Sequence, residues 1–124
     1  MADRYIHPRV KTVSTSIPGR HIWTARHNHV VIDDSAAHGG PGDAPGAAEL
    51  FFAGITGCAT LMMERLARAA NAPLVRVEVN MEGVIDTEAR REGPAVFDSV
   101  QVEFVMAGLS PVQAQQFVDT YKRH

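Results

Sequence analysis

The sequence predicts an α+β fold in the order β-β-α-β-β-α, with antiparallel hairpins around one long central apolar helix. Three patterns carry that reading. Apolar and polar residues alternate in several separate stretches, as they do in strands with one buried face. A proline-free run rich in Ala, Leu, Met and Phe, from Ala47 to about Ala70, interrupts them. Helix-start chemistry then returns near the end, at Ser110-Pro111.

A chain of 124 residues is long enough for one core and short for two, so 1–124 reads as a single domain. With 45% hydrophobic and 21% charged residues, the composition is globular rather than disordered. A formal net charge of −2, with acids and bases interspersed, gives no electrostatic reason to expect a nucleic-acid or membrane partner. Met1-Ala2-Asp3-Arg4-Tyr5 lacks the apolar centre of a signal peptide. No charge-free stretch of about 18 apolar residues is present to span a bilayer. The single cysteine cannot close an intrachain disulfide. Together these features indicate a cytoplasmic protein.

Val10 to Ser16 alternates apolar and hydroxyl residues and predicts a first strand. Ile17-Pro18-Gly19-Arg20 is turn chemistry. A second strand is expected over roughly His21 to Asp33, with Ile22, Thr24, Arg26, Asn28, Val30 and Ile32 on one face. The run Gly39-Gly40-Pro41-Gly42-Asp43-Ala44-Pro45-Gly46 is too rich in Gly and Pro for a regular element. The helix after it is about 36 Å long at 1.5 Å per residue, with Asp43 or the loop backbone as its cap. Asn71-Ala72-Pro73 ends it. Its first half is apolar nearly all round, which calls for burial on most sides. A domain this small struggles to enclose such a rod, so a homodimer covering the helix is expected.

Leu74 to Glu82 alternates again, with Val75, Val77, Val79 and Met81 inward. Gly83 to Pro94 reads as a polar connection or extended hairpin, and Val96 to Ala107 as a further strand. In Leu109-Ser110-Pro111-Val112-Gln113, Ser110 is the cap, Pro111 the first helical residue and Gln113 the closing side of a capping box.

The only cysteine, Cys58, falls mid-way along the long helix, at the expected core. Phe51, Gly54, Ile55, Leu61, Met62 and Arg65 share its face at one- and two-turn spacings. Such a face keeps a thiol inert unless a cation comes from elsewhere in the fold. Gly54 and Gly57 point the other way, because they cost helix stability and permit close approach of a backbone or ligand. Arg20 at the turn and Arg26 on the strand are the candidate cations. Glu49 precedes Cys58 by about 900° of helical rotation, half a turn out of phase, and an acid in the first turn is also favourable for dipole reasons alone. His27, His29 and His38 are a weak metal set without a supporting carboxylate motif. The glycine-rich loop lacks the Gly-Lys-Ser/Thr of a phosphate loop.

The stretch from His29-Val30-Val31-Ile32-Asp33-Asp34 through Gly39-Gly40 and Glu49-Leu50 to Gly57-Cys58 resembles the OsmC/Ohr family, the organic hydroperoxide resistance superfamily. There a strand ending in acid leads to Gly-Gly, a proline-containing loop, Glu-Leu and a helix whose cysteine follows nine residues later. The later strands and Leu109-Ser110-Pro111 also look like the family. The resemblance implies an OsmC-like intertwined homodimer with active sites at the dimer interface. It implies a thiol peroxidase that reduces organic hydroperoxides, with Cys58 as the peroxidatic thiol. It further implies an arginine from the N-terminal hairpin, with Arg20 the nearest match and Arg26 second, oriented by a glutamate that Glu49 would supply.

Two departures stand out. In the hydroperoxide-resistance branch the functional glutamate aligns with Ala48, only about 80° from Cys58 in helical phase, and Glu49 matches the broader OsmC-like group. No resolving cysteine is present. The protein is then either a single-cysteine variant or a chain given without its natural C-terminus, and an external thiol is the expected reductant. No cofactor and no metal are expected.

Two functions follow. In the first, Cys58 attacks the peroxide and becomes a sulfenic acid, while a wall of Phe51, Phe52, Ile55, Met62 and Met63 favours organic hydroperoxides. In the second, the protein is non-catalytic and binds a small apolar ligand at the dimer interface, with Cys58 as packing.

Overall fold

The computed structural model describes residues 4–88 and 97–123. The connection expected over 83–94 lies partly outside these residues, and Val96, Met1-Ala2-Asp3 and His124 wholly so. The chain forms two compact units, Met1–Phe51 and Phe52–His124.

The first unit is a three-stranded antiparallel sheet in the order β1-β2-β3, built from β1 (Lys11–Ser14), β2 (Arg20–Ala25) and β3 (Asn28–Asp33). The single strand expected over His21 to Asp33 is thus a hairpin, and the element order is β-β-β-α-β-β-α. The chain reverses at Arg26-His27, with Arg26 in the left-handed region at φ 55°. Asn28 reinforces the reversal by donating from Nδ2 to the Ala25 carbonyl at 3.2 Å. Reversal also changes which residues share a face. Ile22 now lies across from Val31 and Trp23 across from Val30, so the expected single-strand facing of 22 to 32 does not hold.

The β1–β2 turn places Gly19 at φ 82°, where a Cβ would stand 2.8 Å from the Gly40 Cα. Only glycine lets the loop 34–46 approach this closely. That loop is tied down by Asp34 N–H to the Gly19 carbonyl at 2.8 Å and by Gly42 N–H to the Asp34 carbonyl at 3.1 Å.

α1 runs from Ala47 to Ala69. At its far end Asn71 adopts φ 51°, Ala72 N–H returns to the Ala67 carbonyl at 2.8 Å and Asn71 N–H to the Arg68 carbonyl at 3.2 Å. This is a Schellman-type stop, which asparagine tolerates better than most residues.

In the second unit, β4 (Arg76–Val84) and β5 (Ser99–Ala107) form a two-stranded antiparallel ribbon. β4 begins and ends two residues later than the alternation suggests. The pairs Val77–Met106, Val79–Phe104 and Met81–Val102 set one apolar face. α2 (Pro111–Lys122) starts as expected, with Ser110 Oγ accepting the Gln113 N–H at 3.2 Å. The core gathers Met63, Ala67 and Phe117, flanked by Leu66, Val77, Phe104, Met106 and Tyr121. Phe104 and Tyr121 meet edge to face at 5.6 Å.

α1 is long and apolar enough to cross a membrane by length and composition alone. Its second half, however, carries Glu64, Arg65 and Arg68 and buries Met63 and Ala67 in the core just described.

Candidate functional site

Arg20 opens β2 directly after the Pro18-Gly19 turn, and the hairpin brings Asp33, the last residue of β3, directly across from it. The two side chains form a bidentate pair, Nε to Oδ1 at 2.8 Å and Nη2 to Oδ2 at 2.8 Å. The Asp33 side chain is fully buried, while that of Arg20 is 27% exposed. Asp33 Oδ2 also accepts the backbone N–H of Asp43 at 3.1 Å and of Ala44 at 3.0 Å. Its own N–H donates to the Pro45 carbonyl at 3.0 Å. The Asp43 carboxylate, mostly exposed, stands 3.8 Å from Arg20 Nη2.

These contacts explain the electrostatics. Hydrogen bonding from Arg20 is the main reason the Asp33 carboxyl is held down to about 2; burial opposes this, and the Asp43 and Ala44 N–H groups assist. The Arg20 guanidinium is correspondingly raised, chiefly by its hydrogen bond to Asp33.

Glu49, which the resemblance assigns to orienting the arginine, has its Oε1 on the Gly46 N–H at 2.9 Å. Leu50 N–H makes the first helical bond to the Gly46 carbonyl. Gly46 is therefore the N-cap, and Glu49 supplies the reciprocal half of a capping box. Arg26 sits at the hairpin tip, about 20 Å from Arg20 at 3.3 Å per strand residue. Phe51 is 60% exposed.

The second unit holds Cys58. It is exposed rather than buried, because the core cluster takes the α1 side chains Met63 and Ala67, which point elsewhere around the helix. Gly54 and Gly57 beside it face open space, and Leu61 is 45% exposed. Ile55 is half-buried. Met62 packs against the core, and Met63 is wholly inside it. Phe52 stacks on Phe97 with centroids 4.9 Å apart. Both rings lie over Gly83, where a Cβ would come within 2.6 Å of Phe52 Cζ. Phe52 is thus an anchor between helix and ribbon.

Among the described residues no group of His, Cys, Asp and Glu is placed to hold a metal. His29 Nδ1 pairs with Thr24 Oγ1 and His38 Nδ1 with Ser35 Oγ. A groove of about 360 Å³ in the second unit, lined by Thr60, Glu64, Arg68, Leu74 and Arg76 among others, does not include Cys58.

The sequence model of the OsmC-like protein family matches residues 40–124. The chain belongs to the OsmC-like family. Solved structures agree in fold. The chain superposes on an organic hydroperoxide resistance protein OsmC from Legionella pneumophila with a TM-score of 0.74 and 18% identity, covering 94% of this chain and 82% of that one. An osmotic stress induced and detoxification response protein from Psychrobacter arcticus gives a TM-score of 0.74 at 15% identity, over 90% and 79% of the two chains. An organic hydroperoxide resistance protein from Vibrio cholerae, with captopril bound in one of its active sites, gives 0.72 at 20%, over 97% and 79%. No curated protein matches the sequence.

The mixed α+β class with a long central helix is accordingly the OsmC-like fold. Asp33 is the residue the sequence reading passed over. It is noticed there only as the acid that ends a strand, and the signal that would have singled it out is its cross-strand register with Arg20.

Proposed function

We propose that this OsmC-like protein is a thiol-dependent peroxidase acting on organic hydroperoxides through Cys58. The observation that carries the proposal is an exposed thiol on an open stretch of α1, beside Gly54, Gly57 and Leu61. The relatives named for hydroperoxide resistance support the same reading.

The Cys58 thiolate attacks the terminal oxygen of the hydroperoxide, forming an S–O bond as the O–O bond breaks. Sulfur is oxidised by two electrons to the sulfenic acid. The departing alkoxide takes a proton and leaves as the alcohol. Arg20 is the cation assigned to the thiolate and the developing alkoxide. One external thiol then displaces water from the sulfenic acid to give a mixed disulfide. A second releases Cys58 as the thiol, in a reducing compartment such as the cytoplasm. Phe51, Ile55 and Met62 are the apolar contacts assigned to the organic group, with Phe52 holding the helix beside them.

The working unit is a homodimer. Phe51 and Leu61 are exposed and Gly54 and Gly57 face open space along α1 within one chain, and a second copy would supply apolar cover.

Intact-mass measurement after addition of cumene hydroperoxide tests the chemistry. Wild-type protein gains one oxygen at Cys58, and Cys58→Ser consumes no peroxide while remaining folded. Undiminished consumption by the serine variant would sink the mechanism. A thiol that stays unoxidised in a protein that still binds an apolar ligand would favour the non-catalytic reading.

A further inference from the structure

We propose that Asp33 is the positioning residue of Arg20, an inference that rests on the assignment of Arg20 to Cys58 made above. The guanidinium has five N–H bonds in a rigid planar fork. Asp33 engages two of them, along the Nε/Nη2 edge, and thereby sets the plane of the group. Three N–H bonds remain. Among the described residues, the other acid near the fork is Asp43, whose 3.8 Å separation is beyond hydrogen-bond reach.

The clamp is itself fixed. Asp33 is fully buried, and two backbone N–H groups hold its Oδ2 from the loop side. It cannot swing with the arginine as a surface carboxylate would. Arg20 is therefore held with one edge anchored and the other edge available to an anion before that anion arrives. Preorganised donors of this kind act without reorganisation at the moment of reaction. Among the described residues Arg20 pairs with Asp33 and Asp43 and not with Glu49, whose Oε1 accepts the Gly46 N–H at the start of α1. The carboxylate serving the arginine thus comes from the end of a strand and not from the helix.

The experiment measures single-turnover oxidation of Cys58 by cumene hydroperoxide, read by intact mass, in five proteins: wild type, Arg20→Ala, Asp33→Asn, the double variant and Arg20→Lys. Asp33→Asn is expected to slow oxidation on the order of 10- to 100-fold, as small misplacements of a reacting group do. The double variant is expected to be no slower than Arg20→Ala, because Asp33 acts only through Arg20. A merely structural role would instead make the two losses multiply, and that result overturns the proposal. So does an Asp33→Asn protein that reacts at the wild-type rate.

Arg20→Lys retains the charge but not the fork, and it replaces a partly exposed side chain. It supplies the test if Asp33→Asn does not fold. Its expected loss matches that of Asp33→Asn, and wild-type reactivity in it overturns the clamp. A reactive wild type with an equally reactive Arg20→Ala overturns the assignment of Arg20, and the clamp with it. A wild-type Cys58 inert to the peroxide overturns the peroxidase reading itself.

Discussion

Truncating Met63 to alanine removes three heavy atoms from the centre of the second unit, where the residue is completely buried beside Ala67 and Phe117. At about 0.8 kcal/mol per buried methylene-sized group, the lost transfer energy alone is roughly 2.4 kcal/mol. The cavity left among Leu66, Val77 and Phe104 adds to that, within the range of about 2–5 kcal/mol for buried Met to Ala changes. We expect about 3 kcal/mol, a large part of the roughly 5–15 kcal/mol of stability such a domain has. Urea unfolding followed by far-UV circular dichroism measures it directly. Leu61→Ala removes a side chain of similar size two residues away, about 200° around the helix, but Leu61 is 45% exposed. Its cost in dilute protein should be near 1 kcal/mol. In the homodimer proposed above, that cost grows with protein concentration, because the variant associates less tightly. A Met63→Ala protein within 1 kcal/mol of wild type would refute the core assignment. A Leu61→Ala cost independent of concentration up to the millimolar range would argue against that helix face as the dimer contact.

Acid should weaken the first unit through Asp33. Its folded carboxyl is held down to about 2 from an ordinary 3.8. The unfolded chain therefore binds more protons in that window, and the stabilisation is complete above it and is lost as pH falls toward the lower value. Asp33→Asn removes this component, so its urea midpoint should change less across the same window, and identical slopes would show that Asp33 plays no part. Gly83→Ala places a Cβ 2.6 Å from Phe52 Cζ and 2.7 Å from Phe97 Cδ1. Displacing that stacked pair should cost about 1–3 kcal/mol in a thermal melt, and an unchanged melt would contradict the close approach.

Where local chemistry decides the structure, it was readable in advance. Ser110, Pro111 and Gln113 together carry the local chemistry of a helix start, and Asn71 that of a stop. The long helix is legible because no proline interrupts Ala47 to Ala69 and strong helix formers outweigh Gly54 and Gly57. The hairpin at Arg26-His27 was not legible. It contains no glycine or proline, and its one signal is the polar run Arg26-His27-Asn28-His29 between two apolar stretches, which an exposed strand centre also permits. That error hid the site. On one strand, Arg20 and Asp33 would stand about 43 Å apart at 3.3 Å per residue; in the hairpin they are cross-strand neighbours. The exposure of Cys58 was hidden for a different reason. Helical spacing identifies an apolar face but not whether this chain supplies its cover.

The Asp33 carboxylate also limits how the protein can vary. Oδ1 accepts from Arg20 Nε, and Oδ2 accepts from Arg20 Nη2 and from the backbone N–H groups of Asp43 and Ala44, so both oxygens must be acceptors. Asparagine would turn a donor toward a donor on one side or the other, and glutamate is a methylene too long for a fully packed position. Position 33 therefore tolerates almost no exchange on its own. Arg20, Asp33 and the backbone path through 43–46 form a single heritable unit, so drift at one of them requires a matching change at the others.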